Sequence, residues 1–201
     1  MTEAEPTNQT IQTIQTIKQS NNLALTLKFW PLIALLTIGL CFLTEWVAKV
    51  IFGIELPEQA SLKPILDQLR SAFVDREHFV LAAKNLGLIL IFAPVFEEIL
   101  FRLVLWKLPA KGLVFLAEKL RLEAVAPAIT VAVAVLASAV FSAAHYLQMP
   151  WPNNAFVALF FFGLAQCWLY RKTSRLWCPM LNHFLFNLTN LVLLFILPES
   201  V

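Results

Sequence analysis

The stretch ILIFAPVFEEILFRLVLW (residues 89–106) places two adjacent carboxylates and an arginine inside an otherwise apolar run. Together with the apolar residues before it, the run is long enough to cross the hydrocarbon core of a bilayer, which takes about 20 residues in a helix. Charged side chains at that depth are costly, and they usually mark a functional site. The stretch therefore predicts a membrane helix and also where the function of the protein lies.

The composition of the whole chain indicates an integral membrane protein. Of 201 residues, 59% are hydrophobic and 14% are charged, whereas a soluble domain has about 45–50% apolar and about 25% charged residues. The net charge is only +2, so no nucleic-acid partner is expected. The three cysteines lie in apolar runs without the spacing of a metal or redox motif, and we predict that they are buried free thiols.

Five segments are apolar enough to be predicted as membrane helices: residues 29–53, 79–106, 124–149, 155–170 and 176–197. Between two of them, residues 107–123 mix apolar side chains with four cations, a pattern typical of an amphipathic helix in the membrane interface. We therefore predict an all-α fold, a polytopic membrane helical bundle of about five transmembrane helices plus this amphipathic interfacial helix.

The domain organisation is predicted to be simple. Residues 1–25 bury too little apolar surface to order themselves, so they are expected to form a flexible N-terminal tail. Residues 26–201 are expected to form a single integral membrane domain, with its polar motifs between about residues 85 and 195. Residues 55–78 form a polar connection between the first two spans.

The distribution of Lys and Arg predicts an orientation, because cytoplasmic connections carry an excess of both. Residues 107–121 hold four of them and residues 171–175 hold three, whereas the loop 149–154 holds none. Both basic connections and the N-terminus are therefore expected on the cytoplasmic side of a multi-pass protein of the plasma (inner) membrane.

The carboxylates of the opening stretch differ in their expected roles. Glu98 and Arg102 lie four residues apart, on one face of a helix, where they can form an ion pair. Glu97 points about 100° away from Glu98, because an α-helix has about 3.6 residues per turn. One carboxylate is then neutralised by the arginine while the other faces elsewhere.

Two more predicted spans carry polar side chains at the same spacing. His145 follows Phe141 by four residues, and Asn187 follows His183 by four. Each group alone could be a packing clamp or a hydrogen bond between helices. Counting the helical rise from the span ends places Glu98 and His183 at a similar depth and leaves about 9 Å between them and His145, which tilt and side-chain reach can close. A shared polar site in the membrane is therefore allowed.

Such a site suits the hydrolysis of an amide. A carboxylate beside a histidine can deprotonate a water molecule, and a second histidine with an asparagine can donate to an oxyanion. Alternatively, Glu97, His145 and His183 could hold a divalent metal such as zinc, which would itself activate water.

These residues resemble the motifs of a known family. Glu97-Glu98-x-x-x-Arg102, Phe141-x-x-x-His145 and His183-x-x-x-Asn187, in this order, are similar to those of the CPBP family. Its members are CAAX-protease and bacteriocin-processing intramembrane endopeptidases, related to the type II CAAX prenyl proteases. The Ala93-Pro94 pair before the carboxylates and the stretch SRLWCPMLNHFLFN also match, whereas Leu103 stands where many members have glycine.

The resemblance implies an intramembrane endopeptidase. Glu97 would be the catalytic base, assisted by His145, while His183 and Asn187 would stabilise the oxyanion. Glu98 and Arg102 would orient the Glu97 carboxylate. The family is described both as metalloproteases and as metal-independent glutamate proteases, and the residues suit either mechanism, with a slight preference for the metal-free one. The expected substrate is a peptide or a membrane protein, and membrane lipid surrounds the chain.

Two other functions fit part of the pattern. A non-catalytic scaffold or an immunity-type membrane protein could keep the fold without the chemistry. A small proton-coupled transporter could use Glu and His at depth, although the broken helices and inverted repeats of transporters are not evident.

Overall fold

A computed structural model of the protein describes residues 8–56, 71, 76–147 and 154–196. These residues form helices and contain no strand, so the predicted all-α fold is confirmed. The α-helices are α1 (Asn8–Phe52), α2 (Arg76–Gly87), α3 (Ala93–Glu98), α4 (Leu108–Lys119), α5 (Ala126–Tyr146), α6 (Ala155–Thr173) and α7 (Trp177–Ile196).

Helices α2, α3 and α4 are joined by two π-helical segments, Leu88–Phe92 and Ile99–Lys107. The junction residues all have right-handed helical backbone angles, so the helical backbone runs from Arg76 to Lys119. Short π-helical insertions occur frequently at functional sites. Here they flank α3, the six-residue helix that carries Glu97 and Glu98.

Among the residues that the structure describes, three helices are long and apolar enough to cross a membrane: Thr16–Phe52, Glu123–Tyr146 and Trp177–Ile196. They cover most of the first, third and fifth predicted spans. The second predicted span is helical but is interrupted by the π segments. The fourth lies in α6, which packs against α1, α5 and α7 and is the central helix of the bundle.

Residues 1–7 of the predicted flexible N-terminal tail lie outside the described residues. From Asn8 onward the chain is helical and continuous with the first span. The buried side chain of Asn22 donates through Nδ2 to the backbone oxygen of Thr173, at 3.4 Å. The prediction considered only the polarity of this segment, whereas its helical state comes from extending a long apolar helix and from this contact with α6.

Parts of two predicted connections lie outside the described residues. They are most of the polar connection 55–78 and all of the loop 149–154 except Asn154.

The core between the helices is aromatic where it meets the polar residues. Phe101, Phe141, Phe162 and Phe186 form a buried cluster with two residues of α1, Ile33 and Ala34. Phe141 is 1% exposed and its ring meets the Phe101 ring edge-on, with centroids 5.1 Å apart. This cluster forms the apolar floor on which the polar residues of α3, α5 and α7 lie.

Helices α5 and α6 are in close contact at Gly163. A Cβ atom added to this glycine would lie 3.0 Å from Ser138 Cβ and 3.2 Å from Ser138 Cα. We expect Gly163→Ala to destabilise the protein by about 1–3 kcal/mol, because the helices must separate to admit the methyl group. Thermal unfolding in detergent would measure this effect.

Gly112→Ala is the matched control for that substitution. Gly112 is exposed on α4, and an added Cβ would meet no atom within 4 Å. Alanine should therefore be neutral or stabilising there, by up to about 1 kcal/mol. If Gly163→Ala unfolds no more easily than Gly112→Ala, the close packing of α5 on α6 is not needed for stability.

Candidate active site

The structure brings together side chains from three helices. Glu97 on α3 lies beside His145 on α5, with its Oε2 atom 3.4 Å from His145 Nε2. The same oxygen is 3.8 Å from the Nε2 atom of His183 on α7. The difference in depth inferred from the sequence is therefore closed by the packing of the helices.

These three side chains differ in their access to solvent. The side chains of Glu97 and His145 are 21% and 25% exposed, whereas that of His183 is 6% exposed. Solvent therefore reaches part of the Glu97 and His145 side chains. The Glu97 Oε2 atom itself is buried and has no hydrogen-bond partner of good geometry among the described residues, so it can accept a bond from a donor placed beside it.

The hydrogen bonds of His145 indicate where its proton lies. Its Nδ1 atom is 2.9 Å from the backbone oxygen of Phe141. A carbonyl oxygen only accepts, so Nδ1 is the donor. In the neutral imidazole, Nε2 is then left as an acceptor facing the Glu97 carboxylate. Two acceptors face each other across this gap, and a water molecule could donate one hydrogen to each of them.

Glu98 contacts both Arg102 and His183. It is fully buried, and its Oε2 atom is 2.9 Å from Nε of the equally buried Arg102. Its Oε1 atom accepts from His183 Nδ1 at 3.0 Å. The predicted Glu98–Arg102 pair is therefore present, and the carboxylate also holds the His183 ring with Nε2 directed at Glu97. The contact with His183 was not predicted, because no sequence spacing links residues 85 positions apart.

Aromatic rings surround this ionic cluster. The Arg102 guanidinium lies 4.9 Å from the centroid of the Phe141 ring, close enough for a cation–π interaction. The same ring is 4.5 Å from the His145 ring, and Phe162 is 5.0 Å from the His183 ring. The spacing of Phe141 and His145 thus reflects a direct contact, and the rings fix the positions of both imidazoles.

The charges in the site are nearly balanced. Two carboxylates and one guanidinium give a net charge of −1 when both imidazoles are neutral. One added proton makes the cluster neutral, and buried clusters favour neutrality because an unpaired buried charge is costly. Glu97 and the two histidines are the groups among which that proton can move, since Glu98 is already paired with Arg102.

Asn187 contacts the backbone just before α3, and its expected oxyanion role stays a prediction. Its Nδ2 atom donates to the backbone oxygen of Ile89, at 3.0 Å. In the π segment, Ala93 donates to the Leu88 oxygen, five residues back. The next donor in that series would be residue 94, but proline has no N–H group. Asn187 therefore supplies the hydrogen bond that Pro94 cannot give to Ile89, and it links α7 to the start of α3.

This explanation predicts coupling between Asn187 and Pro94. Asn187→Ala should destabilise the protein by about 1–3 kcal/mol, because the Ile89 oxygen loses its donor. In a Pro94→Ala background, the new N–H group can bond to Ile89, so the same substitution should cost less. Unfolding measurements on the four combinations give the coupling energy. An equal loss in both backgrounds would contradict this role of Asn187.

The predicted metal alternative concerns Glu97, His145 and His183. In the ranges that the structure describes, no group of three or more His, Cys, Asp or Glu side chains is arranged to hold a metal ion. The three cysteines are free thiols, and Cys167 and Cys178 are buried. A metal held by Glu97, His145 and His183 stays a prediction.

A second buried polar pair supports the site and was missed in the sequence. Gln166 Nε2 on α6 donates to Asn182 Oδ1 on α7, at 2.8 Å, and both residues are fully buried. Asn182 directly precedes His183, so this bond fixes the turn of α7 that carries the histidine. A lone glutamine within the apolar run of α6 was the available signal.

Comparison with known proteins identifies the family of the chain. A family model described as type II CAAX prenyl endopeptidase, Rce1-like, matches residues 80–189. The chain has no significant match among curated proteins or among solved structures. The family match spans more than half of the chain and includes Glu97, Glu98, Arg102, His145, His183 and Asn187. With three helices able to cross a membrane, this is a membrane protein that belongs to the Rce1-like family of CAAX-type proteases.

Proposed function

We propose that the chain is an intramembrane endopeptidase that hydrolyses a peptide bond with a water molecule activated by Glu97 and His145. The observation that carries this proposal is the pair of acceptor atoms, Glu97 Oε2 and His145 Nε2, which lie 3.4 Å apart on two side chains that are each partly exposed. A carboxylate and an imidazole at this separation can act as a general base toward one water molecule.

In the proposed reaction, the water molecule donates one hydrogen bond to Glu97 and one to His145. Its oxygen attacks the carbonyl carbon of the substrate. One proton passes to Glu97 as the C–O bond forms, and the carbonyl oxygen becomes an oxyanion. Glu97 or His145 then returns the proton to the amide nitrogen as the C–N bond breaks. The products are a carboxylic acid and an amine.

His183 is the proposed donor to the oxyanion. Its Nδ1 atom donates to the Glu98 carboxylate, and when His183 takes the proton that neutralises the cluster, its Nε2 atom also carries a hydrogen. Its Nε2 atom, directed toward Glu97, can then donate an N–H group to the developing charge. Glu98 and Arg102 act as positioning residues, because they hold His183 and do not themselves reach the gap.

The role proposed for Asn187 follows from its contact with Ile89. By holding the backbone just before α3, it fixes the position from which Glu97 projects. It is therefore a positioning residue in this mechanism, and the direct oxyanion contact expected from the family resemblance is not required.

We further propose that the substrate is a peptide or a membrane protein that reaches the site from within the bilayer. The basic ends of α4 and α6 are expected to face the cytoplasm. The family description refers to prenylated CAAX substrates, and a prenyl group is one chemical class that the assay below should include.

The test is cleavage of labelled peptides, prenylated and unprenylated, by the purified chain in detergent, with and without a metal chelator. Cleavage that persists in the chelator is the expected result, because the proposed water activation uses only Glu97 and His145. Activity that is lost in the chelator and restored by zinc would contradict the metal-free mechanism. No cleavage of any membrane or peptide substrate would favour the scaffold alternative.

A further inference from the structure

A cavity lies away from the Glu97 cluster, where the end of the second π segment and α4 meet the end of α6. Its volume is about 500 Å³, within the range of small-molecule sites, about 300–1,000 Å³. None of the six candidate active-site residues lines it. The cavity therefore needs an explanation that is separate from the proposed proteolysis.

Three cations from two helical regions converge on this cavity. Lys107 and Lys111 lie four residues apart, one turn along the same helix face, and Arg171 comes from the last turn of α6. One carboxylate, Glu118, also lines the cavity. Within the described part of the chain, no carboxylate is within 4.0 Å of any of the three cations. The cavity thus has three cations against one carboxylate, and none of the three cations is ion-paired within that part of the chain.

One of these cations is held in a fixed place. Lys107 Nζ donates to the hydroxyl of Tyr170 at 2.8 Å and lies 4.2 Å from the centroid of its ring. Tyr170 is itself 5% exposed and packs edge-on against Trp106, whose Nε1 donates to the Thr130 oxygen. Of the three ammonium hydrogens of Lys107, two remain for a ligand in the cavity.

The surroundings of the cavity are apolar on the side of α4. Phe115 lines the cavity and is 58% exposed, and Leu108 and Leu116 on the same helix are more than half exposed. Such a helix, with cations beside exposed large apolar side chains, is typical of the membrane interface. A ligand here would meet cations at one end and hydrocarbon at the other.

We propose that this cavity binds the phosphate group of an anionic membrane phospholipid. Lys107, Lys111 and Arg171 would contact the phosphate oxygens, with the fork of donors on Arg171 suited to two of them. The acyl chains would lie along the exposed face of α4 beside Phe115. Basic pockets between membrane helices are suited to such headgroups. A free phosphate ion could make the same contacts with the three cations, but it has no acyl chains to contact α4.

The test is binding of lipids to the purified full chain, measured by native mass spectrometry and by thermal unfolding in detergent. The probes are phosphatidylglycerol, phosphatidylcholine and inorganic phosphate. We expect phosphatidylglycerol to bind and to raise the unfolding temperature more than phosphatidylcholine does, with inorganic phosphate competing only weakly. Equal binding of the two lipids would overturn the proposal. Inorganic phosphate that binds as tightly as phosphatidylglycerol would overturn its assignment to a lipid.

Arg171→Gln and Lys172→Gln form a matched pair for this test. Both remove one positive charge from adjacent exposed positions, but only Arg171 lines the cavity. Arg171→Gln should weaken phosphatidylglycerol binding about fivefold relative to Lys172→Gln, and Arg171→Lys should restore part of the loss. Unfolding without added lipid verifies that each variant is folded. Equal effects of the two glutamine variants would contradict the site. The readout does not involve proteolysis, so its outcome is independent of the proposed enzymatic function.

Discussion

Replacing Glu97 with glutamine is expected to lower the rate of peptide cleavage by about 10²–10⁴-fold, the usual contribution of a general base. Glutamine keeps the size and shape of the side chain, but its amide cannot take a proton from water. The substitution should leave the fold intact, because the Glu97 side chain is 21% exposed and forms no close ion pair among the described residues, its nearest ionisable neighbour being His145 at 3.4 Å. Steady-state cleavage, with unfolding measured in parallel, tests both expectations.

Glu123→Gln is the matched control for this substitution. Glu123 is exposed at the start of the short 3-10 turn before α5, so it undergoes the same chemical change far from the site. We expect this variant to cleave at the wild-type rate. A Glu97→Gln protein that is folded and retains full activity would remove Glu97 from the catalytic role.

Glu98→Gln is expected to have the largest effect on stability. Glu98 and Arg102 are both fully buried, with Oε2 and Nε 2.9 Å apart. Removing the charge of one partner leaves the other buried without compensation, which costs about 3–5 kcal/mol in comparable pairs. The variant should also lose activity, because His183 loses the carboxylate that holds its Nδ1–H group.

The double variant Glu98→Leu/Arg102→Leu separates these two effects. It removes both buried charges, so its free energy of unfolding should be closer to the wild-type value than that of Glu98→Gln. Its activity should remain low, since His183 is no longer held. A double variant that is less stable than Glu98→Gln would contradict the explanation that the unpaired charge of Arg102 causes the loss of stability.

Features that depend on local spacing could be predicted from the sequence. Apolar runs of membrane length identified the helices, and the i, i+4 spacing of Glu98 and Arg102 predicted their ion pair. The residues singled out in the third and fifth spans, His145 and His183, are the ones that the structure places beside Glu97. These successes share one cause: helical periodicity and the cost of charge in lipid act along the chain.

Features that depend on contacts between distant helices could not be predicted. The bond from His183 to Glu98 joins two helices, and no spacing within either helix encodes it. The contact of Asn187 with Ile89 depends on the π-helical register before Pro94. In the same way, the polar N-terminal segment was expected to be flexible, because the sequence does not show the hydrogen bond between Asn22 and Thr173 of α6. Each of these features arises from tertiary packing.

The most direct test of the central claim compares wild type and Glu97→Gln on one labelled peptide set, in detergent and in the presence of a metal chelator. If Glu97 is the general base, we expect new peptide termini with the wild type and cleavage at least about a hundredfold slower with the variant. Equal cleavage by both proteins, or cleavage by the wild type only after zinc is supplied, would contradict water activation by Glu97 and His145.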